Sequence, residues 1–243
     1  MKNYTLFIFI AVLSFSACNT KGEKGKEYTT DTEPVYVEKN EENSNAEKIL
    51  STAEAIAKAN GLKKWDHVKE IKFTFNVDKD SSHFERSWSW MPKYNKVTYF
   101  SKEDTLAYYR AKLDSTTIKL DTGFINDKYW LLCPFNLVWD ADSFVSKHYF
   151  KVLSPIQNVE MQKLTIVYND SDGYTPGDAY DFYFKGDFII REWVYRKGNQ
   201  EKPSLITSWE DYQDFNGIRI AKVHQRDEGD WKLYFTNIEV ITE

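Results

Sequence analysis

The feature that most constrains this chain is a regular alternation of side chains over several segments. In the two clearest segments, the residues that share one face are Ile71, Phe73, Phe75 and Val77 and then Phe84, Arg86, Trp88 and Trp90. Successive side chains of a strand point to opposite faces, so a period of two indicates strands. Further strand candidates are Lys96–Ser101, Ala107–Asp114, Tyr149–Leu153, Gln162–Asn169, Asp178–Lys185, Phe188–Lys197, Ser204–Tyr212, Gly217–Gln225 and Trp231–Ile241. Asn, Asp and Gly between them predict a mainly β fold with an antiparallel sheet.

The composition narrows the class of protein. The 243 residues include 8 Trp, 16 Tyr and 16 Phe, and aromatic side chains favour strands. A net charge of −5 argues against nucleic-acid binding, which needs a basic surface. A mean hydropathy of −0.60 excludes a protein with several membrane spans. Two cysteines are too few for a disulfide scaffold or a zinc-ribbon cluster.

The amino terminus predicts an exported lipoprotein. Lys2 precedes a charge-free stretch over residues 3–17, which is shorter than the ~20 residues of a membrane-spanning helix. This pattern is typical of a signal peptide over residues 1–17. The small residues Ser16 and Ala17 before Cys18 resemble the lipobox of bacterial lipoproteins. The resemblance implies cleavage before Cys18 and lipid attachment to its sulfur, and the alternative is ordinary secretion.

The next residues, 18–45, are rich in Thr, Lys, Glu, Asn and Ser. Such a segment cannot bury enough apolar surface to offset its ordering entropy. We therefore predict a flexible tether between the lipid and a single β-rich domain over residues 46–243. Several acyl chains on one cysteine would hold the protein on a membrane of the cell envelope, and we expect the outer membrane.

One helix is predicted at the start of this domain. Ser44 and Glu47 have the spacing of a capping box, and Gly61 fits the carboxyl-terminal end. Between them the apolar positions recur at helical spacing: Ala46, Ile49, Leu50, Ala53 and Ala57. We expect the sheet to curve around this helix and to bury that face.

Residues 126–139 are apolar without a clear period. Pro134 cannot continue a regular helix and favours an extended conformation at Cys133. We therefore expect a short helical turn or a plug that packs against the sheet. Cys133 would be a buried, inert thiol.

Two predicted hairpins assign faces to the central strands. A two-residue turn at Gly186 and Asp187 would place Tyr180 opposite Trp193 and Phe182 opposite Arg191. In a second, less constrained hairpin, Trp193 would lie opposite Trp209 and Arg191 opposite Asp211. Aromatic side chains then share one face, with Arg191 and Asp211 as a charge pair on it. The carboxylates Asp181, Glu192 and Glu210 share the other face, which we expect to be solvated because like charges repel.

Sequence motifs for catalysis and for metal binding are lacking. The sequence contains no G-x-S-x-G, Walker A, H-E-x-x-H or C-x-x-C motif, and its four histidines are far apart in sequence. A possible calcium loop near Asp170 fails, because an EF-hand frame would place Tyr168 and Ala179 at ligand positions. The expectation is a protein without cofactor, metal or enzymatic activity.

A capped helix followed by aromatic-rich antiparallel strands, on an exported lipoprotein, resembles the LolA/LolB-like family of outer-membrane lipoprotein-sorting proteins. Segments similar to uncharacterised exported proteins of that superfamily are Phe124–Trp139, Gly173–Phe184, Ile190–Lys197 and Thr207–Tyr212. The resemblance implies an incomplete, curved β-barrel closed by helices, with an apolar cavity for acyl chains. It implies a fold and a ligand class but no transport activity, and we expect a monomer.

We therefore predict that Tyr180, Phe182, Trp193 and Trp209 line a cavity for a lipid or other apolar ligand, with Arg191 near its mouth. A filled core is the alternative for the same side chains. Two other functions remain open, namely a glycan-binding or structural surface lipoprotein with exposed tryptophans, and a hydrolase with an unrecognised site. An enclosed aromatic face favours the apolar ligand, and an open, flat one favours sugar rings.

Overall fold

The segments whose side chains alternate between two faces form two large antiparallel sheets. A computed structural model describes residues 36–38 and 48–243. The elements in chain order are β1 (Tyr36–Glu38), β2 (Lys48–Leu50), α1 (Thr52–Ala59), β3 (Val68–Lys79), β4 (Ser82–Met91), β5 (Lys96–Phe100), β6 (Thr105–Tyr109), α2 (Thr117–Trp139), β7 (Phe144–Leu153), β8 (Glu160–Tyr168), β9 (Ala179–Phe184), β10 (Ile190–Arg196), β11 (Leu205–Ser208), β12 (Glu210–Phe215), β13 (Ile218–Gln225) and β14 (Lys232–Thr242).

The strands form a seven-stranded sheet in the order β12-β13-β14-β3-β4-β5-β6 and a five-stranded sheet in the order β11-β10-β9-β8-β7. Each recorded strand pairing is antiparallel, and both sheets are open in the described part of the chain. The prediction of a mainly antiparallel β fold is therefore confirmed. Strand β1 lies within the predicted tether and pairs with β2 at the start of the predicted domain. The predicted signal peptide and Cys18 lie outside the described residues.

One large hydrophobic core joins the inner faces of both sheets to the two helices. Its largest fully buried side chains are Trp88, Tyr129, Phe73, Phe124, Phe135, Phe182, Phe184, Ile56, Ile71, Leu131, Leu132 and Leu137. Six of these belong to α2, which therefore supplies much of the core between the sheets. We predicted that the sheet would surround the amino-terminal helix, but the longer α2 is the main helical element of this core.

The prediction that residues 126–139 form only a short turn or plug is wrong. Helix α2 runs through Pro134 and is interrupted only at Leu132, where φ is −125° and ψ is 22°. Proline lacks an N–H and collides with the carbonyl of the preceding turn, so the helix has to kink there. Cys133 lies inside the helix rather than in extended backbone. It is buried as predicted, and burial raises the pKa of its thiol above the usual range.

Helix α1 begins later than predicted. Its N-cap is Ser51, whose hydroxyl accepts from the Glu54 backbone while the Glu54 carboxylate accepts from the Ser51 backbone, which completes a capping box. The predicted cap at Ser44 lies outside the described residues. Leu50 is buried as expected but belongs to β2, whereas Ile49 is 59% exposed, contrary to the prediction. The buried helical face is Ala53, Ile56 and Ala57.

Both predicted hairpin registers are shifted by two residues. In the first, Trp193 lies opposite Phe182 and Tyr195 opposite Tyr180. One residue of this shift arises at the turn, where Ile190 pairs with Phe184, and a bulge at Arg191 adds the other. In the second, Trp193 lies opposite Thr207. Trp209 ends this pairing by donating its backbone N–H to the Arg191 carbonyl at 2.7 Å, and the chain then enters the other sheet as β12.

The predicted pair between Arg191 and Asp211 is therefore wrong. Arg191 binds Asp187 of its own hairpin at 2.5 Å, and Asp211, on β12, binds Lys222 at 2.9 Å. A change of sheet at Trp209 separates the two predicted partners. The same change places Glu210 on β12, away from Asp181 and Glu192.

Candidate functional site

A cavity of about 320 Å³ lies between α2, the loop joining β8 to β9, and the aromatic face of the five-stranded sheet. Its lining residues are Asn126 and Trp130 from α2, Tyr174 and Thr175 from the loop, and Tyr180, Trp193, Tyr195 and Leu205 from the strands. Trp130, Tyr180 and Trp193 form the buried part of the wall, with exposures of 7%, 3% and 2%. Tyr174, Tyr195 and Leu205 are half-buried at the rim.

The three lining tyrosines use their hydroxyl groups within the protein. Tyr180 shares a hydrogen bond of 2.9 Å with the Thr175 hydroxyl. Tyr174 donates to Asn126 Oδ1 at 3.1 Å, and Tyr195 donates to Asp178 Oδ2 at 2.7 Å. Burial raises the pKa of all three phenols, that of Tyr195 to about 12, so they remain neutral. The tyrosines therefore offer mainly ring surface to a molecule in the cavity.

The structure brings only part of the predicted site together around this cavity. Tyr180 and Trp193 line it, with ring centroids 5.3 Å apart. Phe182 and Trp209 form a layer behind Trp193. Their ring centroids lie 6.2 Å and 5.5 Å from the Trp193 ring centroid. Arg191 lies outside the lining and is paired with Asp187.

Sequence reasoning missed six of the eight lining residues. Trp130 and Asn126 lie on α2, which was not recognised as a helix, and Tyr174 lies in a loop without any periodic pattern. The ring centroids of Trp130 and Trp193 are 4.3 Å apart, and Tyr174 stacks on Tyr129 with a centroid distance of 3.7 Å. The high content of aromatic residues was the available sign of this wall in the sequence, but composition does not show which rings contact each other.

The predicted acidic face is not solvated. Asp181 is 4% exposed and binds Arg196, Lys163 and the Thr165 hydroxyl. Glu192 is fully buried and accepts from the Ser154 hydroxyl and from the backbone N–H groups of Ile156 and Gln157, at 2.7–3.1 Å. Each carboxylate has its own donors, which removes the repulsion that the sequence pattern suggested. Glu210 alone is exposed, as expected.

Several buried polar atoms behind the cavity wall lack a hydrogen-bond partner. They are Trp193 Nε1, Trp209 Nε1, Thr207 Oγ1 and both ring nitrogens of His224. The ring centroid of His224 lies 4.5 Å from that of Trp209 and 5.2 Å from that of Trp130. Burial lowers the pKa of His224 to about 3, against an opposing contribution from the Ser208 backbone, so the imidazole is neutral.

Other parts of the described chain offer weaker candidates. A depression of about 560 Å³ is lined by residues of both charges, among them Glu85, Arg86, Lys102 and Glu103, which does not suit an apolar ligand. The described residues contain no cluster of three or more His, Cys, Asp or Glu side chains that could hold a metal ion. None of the described helices is both long enough and apolar enough to span a membrane.

No protein-family model matches the sequence, and no curated protein matches it. Among the similar solved structures, a DUF1329 family protein from Desulfovibrio piger is 9% identical with a TM-score of 0.43, and the match covers 78% of this chain and 91% of that chain. A LolA superfamily protein from Nitrosomonas europaea is 7% identical with a TM-score of 0.44, and the match covers 80% of this chain and 96% of that chain. A domain described as a putative outer membrane lipoprotein-sorting protein from Vibrio parahaemolyticus is 7% identical with a TM-score of 0.42, and the match covers 77% of this chain and 93% of that chain. At these identities a function for this chain has to be argued from its own side chains.

Proposed function

We propose that this protein is a non-catalytic lipoprotein of the cell envelope that binds a lipid chain or another small apolar molecule in the 320 Å³ cavity. The observation that carries the proposal is an aromatic wall whose tyrosine hydroxyls are already hydrogen-bonded within the protein. Small-molecule sites are concave and mostly apolar, and this volume lies at the lower end of their range of ~300–1,000 Å³. The cavity therefore suits a single acyl chain or a small aromatic compound.

The arrangement of tryptophans supports an apolar ligand over a glycan. All eight tryptophans lie in the described part of the chain, and each is buried or half-buried. Flat binding of sugar rings would need exposed indoles, which was the basis of the glycan alternative. Tyr180 and Trp193 instead form a buried wall together with Trp130.

In this proposal Tyr180, Trp193 and Trp130 contact the ligand directly, while Phe182 and Trp209 support Trp193 from behind. Arg191 is assigned no contact, because Asp187 occupies its guanidinium group. Lipid on Cys18 would hold the domain at the outer membrane.

Filling the cavity tests the proposal. Leu205→Trp adds an indole at the half-buried rim and should block binding of a naphthalene probe at least tenfold while the domain stays folded. Leu153→Trp is the matched control, because Leu153 is 64% exposed on β7 and lies outside the cavity. Binding is measured by calorimetry, and organic extracts of the purified protein are examined by mass spectrometry. A wild-type protein that binds no probe and carries no extractable apolar molecule would contradict the proposal.

A further inference from the structure

We infer that one end of the five-stranded sheet rests on the bilayer that holds the lipid anchor, so that the rim of the cavity faces away from this bilayer. The contact surface is a group of exposed apolar side chains at the β7–β8 connection and on β2, which we call the apolar end. Its members are Ile49, Phe150, Leu153 and Val159. The inference rests on the proposed function only in that Cys18 carries lipid, and it does not depend on a ligand in the cavity.

Antiparallel pairing gives the five-stranded sheet two distinct ends. The β7–β8 connection and the β9–β10 turn lie at one end, while the β8–β9 loop and the β10–β11 connection lie at the other. The cavity rim, with Tyr174, Tyr195 and Leu205, belongs to the second end. Since a strand rises ~3.3 Å per residue, Leu153 at the first end of β7 lies ~26 Å from Val145 at the second.

A row of rings crosses the first end of this sheet, from the edge strand β7 to the β9–β10 turn. The ring centroid of His148 lies 4.6 Å from that of Phe150 and 5.7 Å from that of Phe184. The Phe184 centroid is in turn 5.7 Å from that of Phe188 in the turn. Phe184 is fully buried and Phe188 half-buried, whereas Phe150 is exposed. The hydrophobic core therefore continues into the protein surface at this end.

The apolar end is more than a single exposed side chain. Its four members are 39–64% exposed. Phe150 and Leu153 lie three residues apart on β7, and the Val159 carbonyl accepts from the Ser154 N–H at 2.9 Å, next to Leu153. Isolated exposed apolar residues are ordinary, but adjoining ones are typical of a surface that contacts a partner or a membrane.

The predicted tether reaches the domain at this same end. Ile49 lies three residues before Thr52, whose hydroxyl is 3.3 Å from Nδ1 of His148 on β7. Residues 19–35 separate Cys18 from β1, which pairs with β2. A flexible chain of this length has an r.m.s. end-to-end distance of ~23 Å, whereas a domain of this size is ~40 Å across. Lipid on Cys18 would therefore hold the apolar end, rather than the cavity rim, next to the bilayer.

The charges at this end are compatible with a bilayer surface. Lys151 pairs with Glu160 at 3.8 Å, and Arg191 pairs with Asp187 at 2.5 Å. Lys185 in the β9–β10 turn is exposed and adds a further positive charge. The exposed charged groups of these two turns thus include three basic and two acidic side chains, so anionic headgroups would not be repelled there.

Fluorescence quenching on vesicles tests this orientation with the complete, lipid-anchored protein. A nitrobenzoxadiazole label is attached to Leu153→Cys, since Cys133 is buried and Cys18 would carry lipid. The vesicles contain phosphatidylethanolamine, phosphatidylglycerol and a nitroxide-labelled lipid. Val145→Cys is the matched control, because Val145 is 67% exposed on the same strand but lies at the cavity end.

The label at Leu153 should be quenched at least about twofold more strongly than the label at Val145, because apolar surfaces that bind an interface enter it by ~5–10 Å. A label at Ile49→Cys should be quenched in the same way. Replacing both Phe150 and Leu153 by serine should reduce the quenching at Ile49 to the level at Val145, while the protein stays anchored.

Equal quenching at Leu153 and Val145, or stronger quenching at Val145, would overturn the inference. The proposed function would then stand, because the naphthalene probe measures the cavity independently. A label at Tyr109→Cys, on the edge strand β6 of the other sheet, detects a different orientation, and stronger quenching there than at Leu153 would also overturn it. Protein that does not float with the vesicles would overturn both the inference and the lipid anchor, whatever the probe shows.

Discussion

Asp127 on α2 accepts two hydrogen bonds from the Arg86 guanidinium of β4, at 2.9 Å from Nε and 2.6 Å from Nη2. The carboxylate is fully buried, and it also accepts from Trp88 Nε1. The guanidinium lies so close to the helix that a Cβ added at Gly123 would be 2.6 Å from it. A second buried aspartate, Asp121, binds Arg110 at 2.8 Å in the same way. These pairs fix α2 to the seven-stranded sheet and so position Asn126 and Trp130 at the cavity.

We predict that Asp127→Asn lowers the free energy of unfolding by about 3 kcal/mol, as expected when one partner of a buried ion pair is removed. The effect should lie at the lower end of the known range because the Arg86 side chain is 25% exposed. Urea denaturation measures it. Glu239→Gln, which breaks an exposed pair with Lys72, should cost less than about 1 kcal/mol. Equal effects of the two substitutions would show that the buried pair does not fix the helix.

The close approach of the Gly61 and Gly217 backbones leads to a second prediction. Gly61 has a φ of +98°, and a Cβ added to it would lie 1.9 Å from the Gly217 carbonyl oxygen. Gly61→Ala should therefore cost more than the ~1–2 kcal/mol of left-handed backbone strain alone, because backbone must move. Gly229→Ala is the matched control, with a φ of +82° and open space around the added carbon. Thermal unfolding of both variants measures the difference, and equal melting temperatures would disprove the clash.

The burial of His224 predicts a dependence of stability on pH. Its pKa is lowered from 6.5 to about 3 in the folded protein, so between these values the unfolded chain binds more protons and folding weakens as the pH falls. From pH 7 to pH 5 this histidine should lower the free energy of unfolding by about 2 kcal/mol. His224→Phe should remove that part of the decrease. Urea titrations of both proteins at the two pH values test it, and identical pH dependences would rule it out.

Cys18 supports a prediction that concerns the cellular location. Because residues 16–18 resemble a lipobox, Cys18→Ser should leave the protein uncleaved or release it from the membrane fraction. Fractionation and the mass of the purified protein measure both effects. Unchanged processing together with unchanged membrane association would mean that Cys18 carries no lipid.

The strands were predictable because their signal is local. Period-two alternation identified the positions of β3 and β4 and most later strands, and it assigned Tyr180, Phe182 and Trp193 to one face. This assignment survived the error in register because a shift of two residues exchanges partners without exchanging faces. Gly61 follows the end of α1, as expected of a glycine with positive φ.

Packing between distant segments determined the rest. Pro134 argued against a helix, yet residues 117–139 are helical because the kink at Leu132 lets their apolar side chains fill the space between the sheets. Likewise, Asp181 and Glu192 are buried because Arg196 and the loop at residues 154–157 provide donors that lie far away in sequence. The sequence by itself therefore determined which side chains share a face. Only the tertiary structure decided which faces meet, since burial of a charge or of a kinked helix depends on partners that a local pattern does not contain.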